Sequence, residues 1–317
     1  MPRSLTLAAA HVAPVFMDAA ASAAKAVDWI ARAAADKIDL VVFPEVFLPG
    51  FPYWINLYPP LIQAGLNRRY QDRSVEADGA EIAMVREAAA KHGVAVVMGA
   101  SERGSGSRTC YNSSFIIDRD GSLLAVHRKL KPTYAERYIW GQGDGSSLVV
   151  VASAVGRIGA LACWEHTMNL ARQALIEDGE EIHAALWPSL STMPGFDQIA
   201  NIQIEAMMRN HALTGQCFVV AAANPVTQAM LDFMTAELGP QSLLGVGGGW
   251  SAVLHPFAAT LAGPVSGTEE QLVFAKVDLD DIKDVKLWVD SSGHYARPDV
   301  LRLQIERRPL LTCVDMR

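Results

Sequence analysis

The 317-residue chain has only four cysteines, Cys110, Cys163, Cys217 and Cys313, and no two of them form a CxxC pair or stand at metal-binding spacing. So sparse a set argues against a disulfide framework and against a zinc site; reduced thiols of a cytoplasmic protein are expected, with no metal. An excess of basic charge is also missing. Lysine and arginine number 27 against 34 acidic residues, a formal net charge of −7. Nucleic-acid binding needs a basic face to neutralise phosphates, so that class is set aside, with Arg128, Lys129, Lys131 and Arg137 as a local exception.

Long apolar runs are missing as well. Gly156, Arg157 and Gly159 interrupt the most hydrophobic region, so no stretch reaches the length of a membrane span and a soluble protein is expected. The LTLAAAHVA segment after Arg3 is too short for a secretory signal and flows into a first strand, so export is not expected. The Asn112-Ser113-Ser114 sequon then has no use, because glycosylation requires export. No P-loop, repeat or Pro/Gly/Ser linker is present. Gly245, Gly247, Gly248 and Gly249 invite a dinucleotide reading, but Trp250 takes the sixth position of GxGxxG. Close backbone packing is the better reading, and no cofactor is expected.

What is present is apolar material, half of all residues, enough for a substantial core. Strand-like runs alternate with alanine-rich helical stretches: Leu5 to Ala10, a helix over Asp18 to Ala35, Leu40 to Phe43, a helix over Glu81 to Lys91, and Val94 to Gly99. Ser113 to Ile117 and Leu123 to His127 flank an Asp-Gly turn and predict a hairpin, so the sheet is mixed. Further strands are expected at Arg157 to Ala162, His183 to Trp187, Phe218 to Ala223, Ser251 to Leu254 and Leu272 to Val277, with helices near Asn169 to Glu177 and Asp197 to Thr214. No linker divides them, which predicts one α/β domain over 1–317. Alternation alone points to a doubly wound sheet.

Three apolar runs each end in a reactive side chain: Glu45 in FPEVFLPG, Lys129 in HRKLKPTYAER and Cys163 in GALACWEH. Strand ends are where open sheets place chemistry. Phe43, Pro44, Val46, Phe47 and Leu48 surround the glutamate with apolar groups, which favours its protonated form and suits a general base near neutral pH. The cysteine is followed by a turn and a helix expected from about Thr167, whose dipole favours thiolate. His166, three residues on, offers a rival Cys–His pairing or a packing role. Lys129 and Lys131 are chemically equal on this reading.

These three motifs in order, 84 and 34 residues apart, with GVGGGWSAVLHPFA downstream, closely resemble the nitrilase superfamily of carbon–nitrogen hydrolases, and CWEH resembles its nitrilase branch. The resemblance implies an α-β-β-α four-layer sandwich with two mixed β-sheets. It also implies Cys163 as nucleophile, Glu45 as base, Lys129 rather than Lys131 as the charge stabiliser, and Glu136 as the second glutamate. The substrate implied is a small nitrile, converted to carboxylic acid and ammonia through a thioimidate and a thioester. An amidase or carbamoyl-amide hydrolase needs the same residues, and a silent scaffold would keep them without turnover. Tyr53, Trp54, Tyr134, Trp164 and Trp187 adjoin the reactive segments and fit either the walls of an apolar pocket for substrate or ordinary core packing. Ala221 to Pro225 and Trp250 depart from the typical nitrilase pattern and leave the substrate class open. The resemblance further implies a homodimer or larger homo-oligomer, with a tail from Arg302 onward that reaches a partner subunit.

Overall fold

Strand alternation on both faces, rather than helix propensity, organises this chain. A computed structural model describes residues 3–310. In chain order the elements are β1 (Ser4–His11), α1 (Ala19–Ala35), β2 (Leu40–Val42), α2 (Pro60–Asp72), α3 (Ala80–His92), β3 (Ala95–Arg103), β4 (Cys110–Ile117) and β5 (Leu123–Arg128). Then follow β6 (Val151–Ser153), β7 (Gly156–Ala162), α4 (Asn169–Glu177), β8 (Ile182–Trp187), α5 (Ala200–Gly215), β9 (Phe218–Ala223), α6 (Gln228–Leu238), β10 (Ser251–Leu254), β11 (Thr260–Val265), β12 (Gln271–Asp278) and α7 (Asp281–Trp288).

The strands form two six-stranded sheets, in the orders β12-β1-β2-β3-β4-β5 and β11-β10-β9-β8-β7-β6. Both are mixed: β1, β2 and β3 run parallel, as do β7, β8 and β9, while the outer pairs are antiparallel. Because strand side chains alternate in direction, each central strand buries both faces. Leu7, Leu40, Val42 and Val97 meet Ile158, Ile182, Leu186 and Val220 between the sheets. Their neighbours Ala8, Val41, Phe43 and Val96 face α1 and α3. On the other side Ala185, Val219 and Ala221 face α5. The result is the α-β-β-α sandwich, not the doubly wound sheet to which alternation alone points.

Helix α1 shows why the outer layer forms. Ala19, Ala23, Ala26, Ile30 and Ala33 repeat at helical spacing and are buried, and Asp18 caps the first turn by accepting from the Ala21 N–H at 3.0 Å. The hairpin β4–β5 closes through Asp118 to Ser122, with Gly121 at φ 84°. Sequence alternation passes over β6 and β11 because they are edge strands with few buried residues. It also passes over α2, where exposed Leu61 and Ile62 blur the apolar stripe. Helix α5 starts at Ala200 rather than Asp197, since main-chain bonds from Phe196 and Asp197 to the Met193 carbonyl form a separate turn.

From Arg302 to residue 310 the chain packs back against its own β6–α4 region. Arg307 donates to the Leu148 carbonyl and pairs with Asp178, and Leu303 and Ile305 pack beside Leu148 and Leu175. Residues 311–317, with Cys313, lie outside the described residues. Among the described residues Cys110, Cys163 and Cys217 are buried free thiols, and no helix is long and apolar enough to cross a membrane.

Candidate active site

Glu45 follows β2, Lys129 follows β5 and Cys163 follows β7, so both sheets deliver groups to one place. Lys129 Nζ donates to Glu45 Oε1 at 2.8 Å and to both Glu136 oxygens at 3.0 and 2.8 Å. Carboxylate oxygens of Glu45 and Glu136 and the Cys163 sulfur all lie within 4.8 Å of one another. The ammonium between the two acids supplies the positive charge there. Lys131, by contrast, is exposed and bonds Gln142, and the apparent basic cluster is dispersed, Arg128 pairing with Glu102.

Backbone geometry holds these groups against local preference. Val46, Tyr134 and Cys163 have φ of 49°, 46° and 53°, left-handed conformations that L-residues avoid. Each costs on the order of 1–3 kcal/mol, and such strain gathers at functional sites. The turn after β2 presses on β3: a Cβ at Gly99 would stand 2.2 Å from the Pro44 carbonyl oxygen and 3.0 Å from Glu45 Cα. Only glycine lets Glu45 approach so closely.

Burial governs the electrostatics. Glu45 is 1 % exposed and its pKa is raised to about 7, burial outweighing Lys129 and the Asn112 amide, which donates to Oε1 at 2.6 Å. Its other oxygen, Oε2, has no hydrogen-bond partner. Burial opposes charge on Lys129, but Glu136 and Glu45 hold its pKa well above the usual lysine range. At Cys163 burial, seconded by Glu45, pushes the thiol well up; Lys129 and the Trp164 main-chain N–H act in the opposite sense. Burial thus favours the thiol over the thiolate at Cys163, against the expectation of a thiolate set by a helix dipole. Cys163 itself opens a 3-10 turn over Cys163–Thr167, and α4 begins only at Asn169.

His166 does not serve the sulfur. Its Nδ1 lies 2.7 Å from the Cys163 carbonyl oxygen and its Nε2 lies 2.9 Å from His183. Both nitrogens are engaged, which removes the rival Cys–His pairing.

A cavity of about 310 Å³ opens over Cys163, lined by Phe51, Asn56, Thr133, Tyr134, Glu136, Trp164, Leu190, Met193 and Phe196. Of the five aromatic residues that fit its wall by sequence, Tyr134 and Trp164 are there, Tyr134 at the rim with 78 % exposure. Tyr53, Trp54 and Trp187 are not in its lining. Tyr53 Oη accepts from the Ser189 N–H, Trp54 Nε1 donates to Asn67, and the Trp187 ring stacks on His166. For these three the packing falls on the core side of the two readings, because a buried ring beside a turn serves the core as readily as a pocket. Leu190, Met193 and Phe196 went unnoticed, although a loop leaving the carboxyl end of β8 was a signal for them. Asn112 and Glu165 were missed too. Glu165 accepts from His127 Nε2, the Leu130 N–H at 2.7 Å and the Ala162 N–H at 3.0 Å, tying the Lys129 segment to the Cys163 segment.

Residues 6–287 match the family model for carbon-nitrogen hydrolase. An aliphatic nitrilase from Rhodococcus rhodochrous is 40 % identical over 309 residues, covering 95 % of this chain and 82 % of that protein. A nitrilase from Pseudomonas syringae pv. syringae is 36 % identical over 317 residues, covering 100 % of this chain and 94 % of its own. The crystal structure of a carbon-nitrogen hydrolase from Helicobacter pylori G27 superposes with a TM-score of 0.73 at 19 % identity, over 93 % of this chain and 96 % of that one, a likeness of fold. Fold, spacing and sequence agree: the chain belongs to the carbon-nitrogen hydrolase family.

Proposed function

We propose that this protein is a nitrilase, hydrolysing an organic nitrile to carboxylic acid and ammonia with Cys163 as nucleophile. The observation that carries the reading is the buried Lys129 ammonium shared by Glu45 and Glu136 beside the cysteine. The kinship with curated nitrilases supports the choice of nitriles.

Glu45 takes the thiol proton as the sulfur adds to the nitrile carbon; one carbon–nitrogen π bond breaks and the nitrogen receives the proton, giving a thioimidate. A pKa of about 7 leaves this base available near neutral pH and able to return the proton. Water then adds to the carbon, and Lys129 and the Trp164 N–H stabilise charge on nitrogen and oxygen. Ammonia leaves with the proton, the thioester remains, and a second water activated by Glu45 releases the acid and restores the thiol. Glu136 keeps Lys129 in place. The cavity lining, apolar but for Asn56, Thr133, Tyr134 and Glu136, suits a substrate with a hydrocarbon tail.

Purified protein is offered aliphatic, aromatic and arylacetic nitriles while ammonia, acid and amide are measured. Ammonia and acid in equal amounts, absent in Cys163→Ala, are the expected outcome. Ready hydrolysis of amides with every nitrile untouched sinks the nitrilase reading in favour of an amidase or carbamoyl-amide hydrolase.

We further take the chain to work as a homo-oligomer of single-domain subunits in the cytoplasm. Leu170 on α4 and Ile202 and Leu213 on α5 are 70 %, 66 % and 50 % exposed, an apolar face suited to a second copy. The buried free thiols fit a reducing compartment. Light scattering of purified protein tests the assembly, a monomer being the contrary result.

A further inference from the structure

Beside the nucleophile runs a chain of four buried side chains that no step above uses. His166 Nδ1 faces the Cys163 carbonyl oxygen at 2.7 Å, and His166 Nε2 faces His183 Nε2 at 2.9 Å. His183 Nδ1 lies 2.7 Å from Glu180 Oε1, and His211 Nε2 lies 2.8 Å from Glu180 Oε2. The three histidines are 0 % exposed and Glu180 is 4 % exposed. Space for the acid is reserved on β7 itself, where a Cβ at Gly159 would stand 2.1 Å from Glu180 Oε1.

Hydrogen-bond parity dictates where the protons lie. A carbonyl only accepts, so His166 Nδ1 carries hydrogen. In a neutral ring its Nε2 then accepts, and His183 Nε2 must donate. One further proton lies between His183 Nδ1 and Glu180 Oε1, and His211 Nε2 donates to the second oxygen, its own Nδ1 having no partner. Burial and His183 hold His166 well below the usual imidazole range, so it adds no proton that would break the pattern.

The Cys163 carbonyl and the Trp164 N–H belong to one peptide plane and point in opposite directions. Fixing one fixes the other. We propose that His166, His183 and Glu180 are positioning residues: by holding the Cys163 carbonyl through a defined His166 tautomer, they aim the Trp164 N–H at the charge that develops during hydrolysis. The inference rests on Cys163 being the nucleophile of the proposed reaction. It also accounts for how a left-handed Cys163 is kept in place, since the bond from His166 ties down the next peptide.

The test compares His183→Phe, Glu180→Ala and Glu180→Gln with the native enzyme, reading kcat and KM for a nitrile and the rate at which iodoacetamide alkylates Cys163. Alkylation is a displacement at carbon that develops no oxyanion, so misaiming the Trp164 N–H touches it only through the acidity of the thiol, a smaller effect than loss of an oxyanion donor. His183→Phe and Glu180→Ala are expected to lower kcat by about 10- to 100-fold with KM unchanged, while alkylation stays within about fivefold. Glutamine at 180 can donate to His183 Nδ1 and accept from His211, preserving the parity, so Glu180→Gln returns kcat to within about threefold of native. Should His183→Phe fail to fold, the two Glu180 variants carry the comparison. The proposal is overturned if Glu180→Gln falls as far as Glu180→Ala, or if turnover and alkylation fall together. An enzyme inactive on every nitrile refutes the function above instead; the same kcat contrast is then read with an amide, which passes through the same tetrahedral charge.

Discussion

Glu45 and Glu165 are both about as buried as a carboxylate can be, at 1 % and 2 % exposure, yet their acidities move in opposite directions. Burial pushes both up. At Glu165 it is overcome by His127, which faces both oxygens at 3.1 Å, and by the main-chain N–H groups of Leu130 and Ala162, so its pKa falls. At Glu45 the cation is shared with Glu136, the donors crowd onto Oε1, Oε2 is left bare, and the pKa rises to about 7. Donors per oxygen, not depth, decide the outcome. The fully satisfied acid holds two strand ends in register; the starved one is ready to accept a proton.

Removing each acid is expected to break different things. Glu45→Gln takes away the proposed base, and kcat is expected to fall by roughly 10²- to 10⁴-fold while the urea midpoint barely moves. Glu165→Gln instead leaves the buried His127 without its counter-charge. Breaking such a pair costs about 3–5 kcal/mol, read as a lower urea midpoint, with a smaller loss of kcat per folded molecule. If Glu165→Gln proved as stable as the native chain, the idea of a structural clamp between the Lys129 and Cys163 segments would fail.

A pH series sharpens the contrast. In the proposed mechanism turnover needs Glu45 ionised, so kcat/KM is expected to climb about tenfold per pH unit below about 7 and then level off, unlike the profile of an ordinary glutamate. The Asn112 amide lowers the Glu45 pKa, so Asn112→Ala moves that limb to higher pH. Stability rises with pH in a lower window, set by the satisfied acids. Glu180 is held at about 2 against an ordinary 4.5, His183 and His211 overcoming its burial. Between those values the unfolded chain binds the extra proton, so its stabilisation is complete above pH 4.5 and lost as pH falls toward 2.

The same distinction explains how far the sequence could be read. The ends of β2, β5 and β7 were legible because apolar runs stop at Glu45, Lys129 and Cys163, and their family spacing separated Lys129 from Lys131. The second sheet was not legible from alternation, since strands buried on both faces look alike in one sheet or two. Partners contributed across the fold were invisible too. Asn112 read as an idle sequon and His183 as part of a strand, because a hydrogen bond 67 or 17 residues away leaves no local pattern. Pocket walls were the least legible: sequence adjacency left Tyr53, Trp54 and Trp187 open between pocket and core, whereas the cavity took Met193 and Phe196 from the loop after β8.

That loop offers the mildest test of the comparison, between a side chain that faces open space and one whose partners are complete. Phe196 lines the cavity and is 39 % exposed, so Phe196→Ala removes apolar contact for substrate without opening a hole in the core. KM for an aromatic nitrile is expected to rise about three- to tenfold, with the thermal midpoint unchanged and short aliphatic nitriles unaffected. Tyr53→Phe is the counterpart. Its hydroxyl accepts from the Ser189 N–H at 2.9 Å and meets the Asn224 amide at 3.2 Å, so its loss strands a buried donor and lowers stability by about 1–3 kcal/mol, leaving the ratio of aromatic to aliphatic KM as it was. A Tyr53 variant that changed that ratio while keeping its thermal midpoint would return the tyrosine to the substrate wall and show that the division between satisfied and open groups had been drawn in the wrong place.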